Sequence, residues 1–211
     1  MKLVKYPRTF HLPWSLGVSS DDKVLQSVDS FENKRVIVTL KMDGENNTTY
    51  KNYFHARSLD SQNHESRNWA KKHCASFQQD IPTDWRVCFE NLYAKHSIHY
   101  NNLSSYINGI SIWNDKNNCL SWDETLEWFQ LFNIESVPIL YDGIFNIKKI
   151  RDIESNMDFT VNEGYVIRLA DGFNYNSFKD CVAKFVRNNH VAINDKHWRT
   201  QKIVKNVLTT G

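Results

Sequence analysis

Residues 36–50 read VIVTLKMDGENNTTY, and the run changes character at Lys41. Ahead of the lysine stand β-branched and aliphatic residues, so RVIVTL reads as a strand with its core at 36–40. Behind it come Asp43, Gly44, Glu45 and Asn46, and the polar DGENN has the composition of a turn. TTYKNYFHARS then reads as the next strand, joined to the first through that turn. A lysine at the end of an apolar strand, with acids and a glycine crowded against it, needs a reason beyond solubility.

Outward from this point, strand and helix signals alternate. HESRNWAKKHCASFQQ has helical spacing that puts Trp69, His73 and Phe77 on one face. WRVCFENLYA and SYINGISIWN read as strands, the first interrupted by Glu90. In CLSWDETLEWFQLFNI, Ser121 and Glu124 form an S-x-x-E capping box, which predicts a helix from about Trp122 to Phe132. VPILYDG reads as a strand, IFNIKKIRDIES as a helix, and EGYVIRL and CVAKFVR as strands. The chain after Asn188 reads as a basic helix. The expected fold class is α+β, dominated by antiparallel sheet. Residues 1–187 form one domain and 188–211 a C-terminal basic helical extension.

Composition bounds the function. The 211 residues are 41% hydrophobic and 13% aromatic, enough for one substantial core. No run of 18 apolar residues exists, and MKLVKYPRTFHLPW lacks the unbroken apolar stretch of a signal peptide. A soluble, cytoplasmic protein with no membrane role is expected, and a monomer is assumed. Cys74, Cys88, Cys119 and Cys181 form no CxxC pair, so neither a zinc site nor a disulfide framework is read. His96 and His99 have a metal-compatible spacing, but no third ligand stands nearby. Net charge is only +2, so any polyanion must be met by a local patch. The stretch 179–206 is more basic, with seven Lys or Arg against two Asp.

Charged residues sit where strands begin, end or break: Lys41, Arg57, Glu90, Glu163 and Lys184. Strands that turn these positions toward one cleft would gather cations for phosphates and carboxylates for ribose hydroxyls or Mg²⁺.

In this order the residues resemble the motifs of the covalent nucleotidyltransferases, the superfamily of polynucleotide ligases and RNA capping enzymes. KMDGEN resembles motif I (K-x-D-G), ARS motif Ia, FEN motif III, SYINGISIW motif IIIa, EGYVIR motif IV and VAKFVR motif V. Within the superfamily the phrases ENLYAKHSIHY, CLSWDET, VPILYDG and KFVRNNHV resemble the ATP-dependent RNA ligases, particularly a compact phage and bacterial group. The resemblance implies an ATP-grasp-like ligase adenylation domain, with ATP and Mg²⁺ or Mn²⁺ as cofactors. It implies RNA with 5′-phosphate and 3′-hydroxyl ends as partner, in RNA repair, in host cytoplasm if phage-encoded.

The implied chemistry has three steps. Lys41 attacks the α-phosphate of ATP and pyrophosphate leaves. AMP passes from the lysine to an RNA 5′-phosphate. A 3′-hydroxyl then attacks the adenylated end and AMP departs. The resemblance assigns Asp43 to orienting Lys41 or the metal shell and Asn46 to the phosphates. Arg57 is assigned to the nucleotide and later the RNA 5′ end, Glu90 to the ribose, Glu163 to the metal and Lys184 to the phosphate charge. Motif IIIa supplies an adenine contact among Tyr106, Ile110 and Trp113, with Ile110 chosen. A lysine nucleophile must be neutral, and bringing an amine from about 10.4 to near 7 costs about 4 kcal/mol.

Two departures stand out. Motif V often reads K-x-K, whereas Val186 holds the second place here, leaving Arg187 as a substitute RNA contact. Phe89 precedes Glu90 where a small residue is usual. Only 24 residues follow Arg187, too few for an OB-fold, which favours RNA ligase over DNA ligase or a GTP-using capping enzyme. An RNA 5′-adenylyltransferase and a nucleotide- or RNA-binding pseudoenzyme are the remaining alternatives.

Overall fold

The computed structural model describes residues 2–188 and 202–209. Its strands are β1 (Phe10–His11), β2 (Arg35–Leu40), β3 (Glu45–Tyr50), β4 (Tyr53–Ala56), β5 (Arg86–Asn91), β6 (Ile107–Trp113), β7 (Asn118–Cys119), β8 (Ile139–Ile144), β9 (Gly164–Leu169), β10 (Phe173–Asn174) and β11 (Val182–Val186). The helices are α1 (Asn68–Cys74), α2 (Trp122–Leu131), α3 (Ile147–Ser155) and α4 (Phe178–Cys181). The first sheet has five strands in the order β1-β11-β9-β2-β8, and the second has six, β10-β7-β6-β5-β3-β4. All pairings are antiparallel except β1 with β11.

β2 is an interior strand of the first sheet, between β9 and β8, and Val36, Ile37, Val38 and Thr39 are all buried, which explains why it reads as a nearly unbroken apolar run. Val36, Val38, Ile167 and Phe185 of this sheet share a core with Cys88, Trp113 and Cys119 of the second sheet. On its other face the second sheet buries Val87, Phe89 and Ile112 against Ala70, Phe77, Phe129 and Phe132 of the helical side. The α2 start is as expected: Ser121 Oγ accepts the Glu124 N–H, and the Glu124 carboxylate accepts from Ser121.

Three local expectations are corrected. DGENN is not a hairpin turn, because both edges of β2 are already taken by β8 and β9. The chain therefore leaves the first sheet at Leu40 and joins the second at Glu45. At Gly44 an added Cβ would lie 2.5 Å from Asn91 O, so the step between sheets needs glycine. TTYKNYFHARS is not one strand but a hairpin, with Tyr50 opposite Tyr53 and the turn at Lys51–Asn52.

The third correction concerns the tail. Residues 202–209 are extended, not helical, and form bridges Ala94↔Lys205 and Leu103↔Leu208. The helix expected across 189–201 lies outside the described residues. Asn206, 1% exposed, explains the extended conformation. Its Nδ2 donates to Leu92 O at 2.8 Å, its Oδ1 accepts the Tyr100 N–H at 2.9 Å, and its own N–H donates to Tyr93 O at 3.1 Å. A helix would withdraw these groups from the 92–100 segment.

Asn206→Ala strips two partners from buried main-chain groups, which costs about 1–3 kcal/mol for each group left unsatisfied. The variant is expected to melt several degrees below wild type in a calorimetric scan. An unchanged midpoint would mean the tail docks without that side chain.

Candidate active site

A cavity of about 500 Å³ opens between the two sheets. Lys41, Val166 and Lys184 face it from the first sheet and its exit, and Asn46, Glu90 and Ile110 from the second. The four-residue step from β2 to β3 sets Lys41 at the junction. Its main-chain N–H donates to Gly164 O at 2.9 Å, and its Nζ donates to Glu163 Oε2 at 2.5 Å. The Lys41 side chain keeps 25% of its surface exposed while Glu163 keeps 4%, so the amine is the more accessible of the pair, and Glu163 stands behind it rather than among the lining residues. Gly164, next to the acid, has φ +155°, and a Cβ there would lie 2.0 Å from Phe185 O. Only glycine brings β9 this close to β11 directly after Glu163.

Acid outweighs base around the amine. Burial pulls the Lys41 pKa down, but Glu163, Glu90 and Asp43 together hold it above its ordinary value. The resting lysine is an ammonium. Burial, with Glu163 and Asp43 nearby, pushes the Glu90 carboxyl up to about 8 against the pull of Lys41 and the Gly44 N–H, which donates to Oε1 at 3.1 Å. On the opposite wall burial lowers the Lys184 pKa, Asp22 raises it and Lys41 lowers it further. Lys184 Nζ lies 3.5 Å from Asp22 Oδ1.

The other expected residues divide. Asp43 Oδ2 accepts from Ser97 N, Ser97 Oγ and Ile98 N at 2.8, 2.7 and 2.7 Å, so its carboxylate anchors the loop after β5 while adding charge beside Lys41. The Asp43 N–H in turn donates to Tyr100 Oη at 2.9 Å, which ties the loop and the docked tail to the segment that carries Lys41. Asn46 lines the cavity with a buried Oδ1 that has no hydrogen-bond partner among the described residues. Arg57 lines it too, and its pKa is lowered by burial and then by neighbouring Arg8. Ile110 and Trp113 face the cavity from β6; Tyr106 is not among the lining residues and instead donates its hydroxyl to Asn206 O at 2.9 Å. Arg187 is not a lining residue either. Its N–H donates to Glu163 O at 3.0 Å, and its Nε is buried without a hydrogen-bond partner.

His96 lines the cavity whereas His99 Nε2 lies 3.1 Å from Lys205 O, so the two histidines do not converge. Among the described residues no group of three His, Cys, Asp or Glu is arranged to hold a metal by itself, and no helix is long and apolar enough to cross a membrane.

Sequence reasoning missed the N-terminal wall. Tyr6, Arg8, Thr9 and Asp22 line the cavity, and Tyr6 packs edge-on against Phe178 at 5.5 Å. No periodicity marks this segment, which reaches the site by pairing with β11, far along the chain. Also unforeseen is the support beneath β3. Glu45 is 7% exposed and bonded by Arg67 through Nε at 2.5 Å and Nη2 at 2.7 Å. That two-point pair fixes the strand next to Asn46.

The sequence profile of the RNA ligase family matches residues 34–186. No curated protein matches the chain in sequence. Among solved structures it is similar to an archaeal ATP-dependent RNA ligase, with 14% identity, TM-score 0.60 and coverage of 88% of this chain and 48% of the other. A chain from Aquifex aeolicus assigned as an ATP-dependent DNA ligase gives 17% identity, TM-score 0.57 and coverage of 88% and 50%. The Naegleria gruberi RNA ligase with pyrophosphate gives 16% identity, TM-score 0.56 and coverage of 89% and 61%. At these identities the likeness is one of fold, the expected α+β nucleotidyltransferase arrangement. The chain spans about half the length of the first two.

The Glu90 environment sets a pH dependence. The unfolded carboxyl ionises near its ordinary 4.5, whereas the folded one holds its proton to about 8. This group's contribution to stability is therefore full below 4.5 and is lost as pH rises toward about 8. Glu90→Gln is neutral throughout, and its melting temperature is expected to lack that fall. Parallel curves for the two proteins across this range would contradict the assignment.

Proposed function

The chain belongs to the RNA ligase family, and on that premise we propose that it is an ATP-dependent RNA ligase joining 3′-hydroxyl and 5′-phosphate ends through lysyl-AMP and RNA-adenylate. The observation that carries the reading is Lys41. Its amine is reachable from a 500 Å³ cavity, has Glu163 at 2.5 Å, and shares that cavity with Lys184 and Arg57.

Lys41 forms the P–N bond to the α-phosphorus as the bond to the bridging oxygen breaks and pyrophosphate leaves. Lys184 and Arg57 meet the phosphate charge, with Arg57 later meeting the RNA 5′ end. Asn46, whose Oδ1 has no partner among the described residues, faces the nucleotide. Glu90 and Ile110 sit on adjoining strands of the second sheet and take the ribose and base. Asp43 acts by holding its loop and by its charge. Arg187 supports Glu163 through the main chain, and we extend it no further toward RNA.

The resting ammonium has to lose its proton before it can attack, and the acid excess opposes that loss. The same acids suit a divalent cation: burial first, and then the neighbouring Glu163 and Asp43, hold the proton on Glu90 to about 8, and a bound cation would favour its ionised form. Glu163, with Glu90 close by, would hold Mg²⁺ or Mn²⁺, the remaining oxygens coming from phosphate and water. Once bound, such an ion supplies positive charge that offsets the carboxylates and favours the neutral amine. All four cysteines are free and buried, which accords with a reducing compartment, and we place the reaction in the cytoplasm.

Incubation with α-labelled ATP and Mg²⁺ is expected to label the polypeptide through an acid-labile bond, and Lys41→Ala or chelation to abolish the label. Labelling from GTP alone would indicate capping chemistry, and no label from either nucleotide a binding module. With 5′-phosphorylated RNA added, sealing is expected; RNA-adenylate that accumulates unsealed would identify an adenylyltransferase.

A further inference from the structure

Asp22 lies outside every motif in the sequence, yet it is the carboxylate in contact with Lys184. Its placement is built. Oδ2 accepts from Ser19 N at 3.1 Å and Ser19 Oγ at 2.8 Å, and lies 3.3 Å from His11 Nε2. His11 is 1% exposed and is fixed through Nδ1, 2.8 Å from Ser15 Oγ, which also accepts the Val186 N–H at 3.0 Å. β1 sets His11 opposite Lys184 in register, and Leu12 N–H donates to Lys184 O at 2.7 Å. The N-terminal segment thus runs along β11 and presents one rigid acid to one lysine, with Lys41, Glu163 and His11 the other charged or titratable neighbours of that amine.

A plain stabilising salt bridge explains this poorly. Main-chain and Ser15 bonds already join the two segments, and an isolated ion pair of this length adds little. A fixed carboxylate in a cavity meant for a polyphosphate also repels the ligand. An acid kept there at that cost has a task in placing the lysine.

We propose that Asp22 is the positioning residue for Lys184, braced by the two Ser19 hydrogen bonds so that the ammonium is already aimed at the α-phosphate when the nucleotide arrives. The inference rests on the adenylyl-transfer reading above. An amine held in place meets the charge that develops on phosphorus without first reorganising, and loss of that aim falls on turnover more than on binding.

The test compares Asp22→Asn, Asp22→Glu, Lys184→Ala and the double variant Asp22→Asn/Lys184→Ala for Lys41 labelling across ATP concentrations. Asp22→Asn is expected to lower the maximal rate about 10-fold to 100-fold while changing the KM for ATP by less than about threefold. Asp22→Glu is expected to recover part of the rate. In the Lys184→Ala background Asp22→Asn is expected to add nothing, because the lysine it aims is gone. Additive losses, a change confined to KM, or a wild-type rate in Asp22→Asn would overturn the proposal. A second readout needs no activity: lysine-selective NMR of the nucleotide-free protein should show a slowly exchanging Lys184 ammonium that is lost in Asp22→Asn. Persistence of that signal in Asp22→Asn also overturns the proposal. A wild-type protein that takes up no label overturns the ligase reading instead, and the NMR signal still decides whether Asp22 holds Lys184.

Discussion

A strand in a sheet has two edges, and β2 has spent both. With β8 on one side and β9 on the other, the chain that leaves Leu40 cannot turn back as a hairpin. It has to step across to the second sheet within residues 41–44, and the first residue of that step is Lys41. The cavity between the sheets, the approach of Glu163 from β9 and the placing of Asn46 on β3 all follow from this forced crossing. Lys41 ends an apolar strand because that strand ends where one sheet gives way to the other.

Electrostatics then sets the state of the site at rest. The carboxylates around Lys41, Glu163 first, outweigh its desolvation and keep it charged, while burial above all holds the proton on Glu90 to about 8. A charged amine does not attack phosphorus. Positive charge brought beside these acids would offset them and favour the neutral amine. Lys184 shows the converse, a lysine pulled down by burial and by Lys41 but sustained by Asp22.

Much of this was legible in the sequence, and the failures have physical causes. Lys41, Glu90, Glu163 and Lys184 were singled out because strand boundaries show as changes in polarity and the motif order chose among them, and the structure brings these four side chains close together. Ser121 and Glu124 were found because a capping box is local chemistry. DGENN misled because Glu45 and Asn47 are buried polar residues inside β3, where strand reading expects apolar ones. The Lys51–Asn52 turn was hidden in TTYKNYFHARS by β-leaning residues on both sides. His11 and Asp22 carry no local pattern; their meaning comes from a partner strand far away in sequence. Tyr106, one of three motif IIIa candidates beside the chosen Ile110, gives its hydroxyl to the tail, a long-range contact that no local pattern announces.

The parallel seam between β1 and β11 has a consequence for how the molecule comes into being. The first sheet unites residues near position 10 with residues near 184, and β2 with β9 across a gap almost as wide. Such distant closures make folding slow and late. Lys41 is made long before β9 and β11, so the pocket around it cannot close until those strands exist.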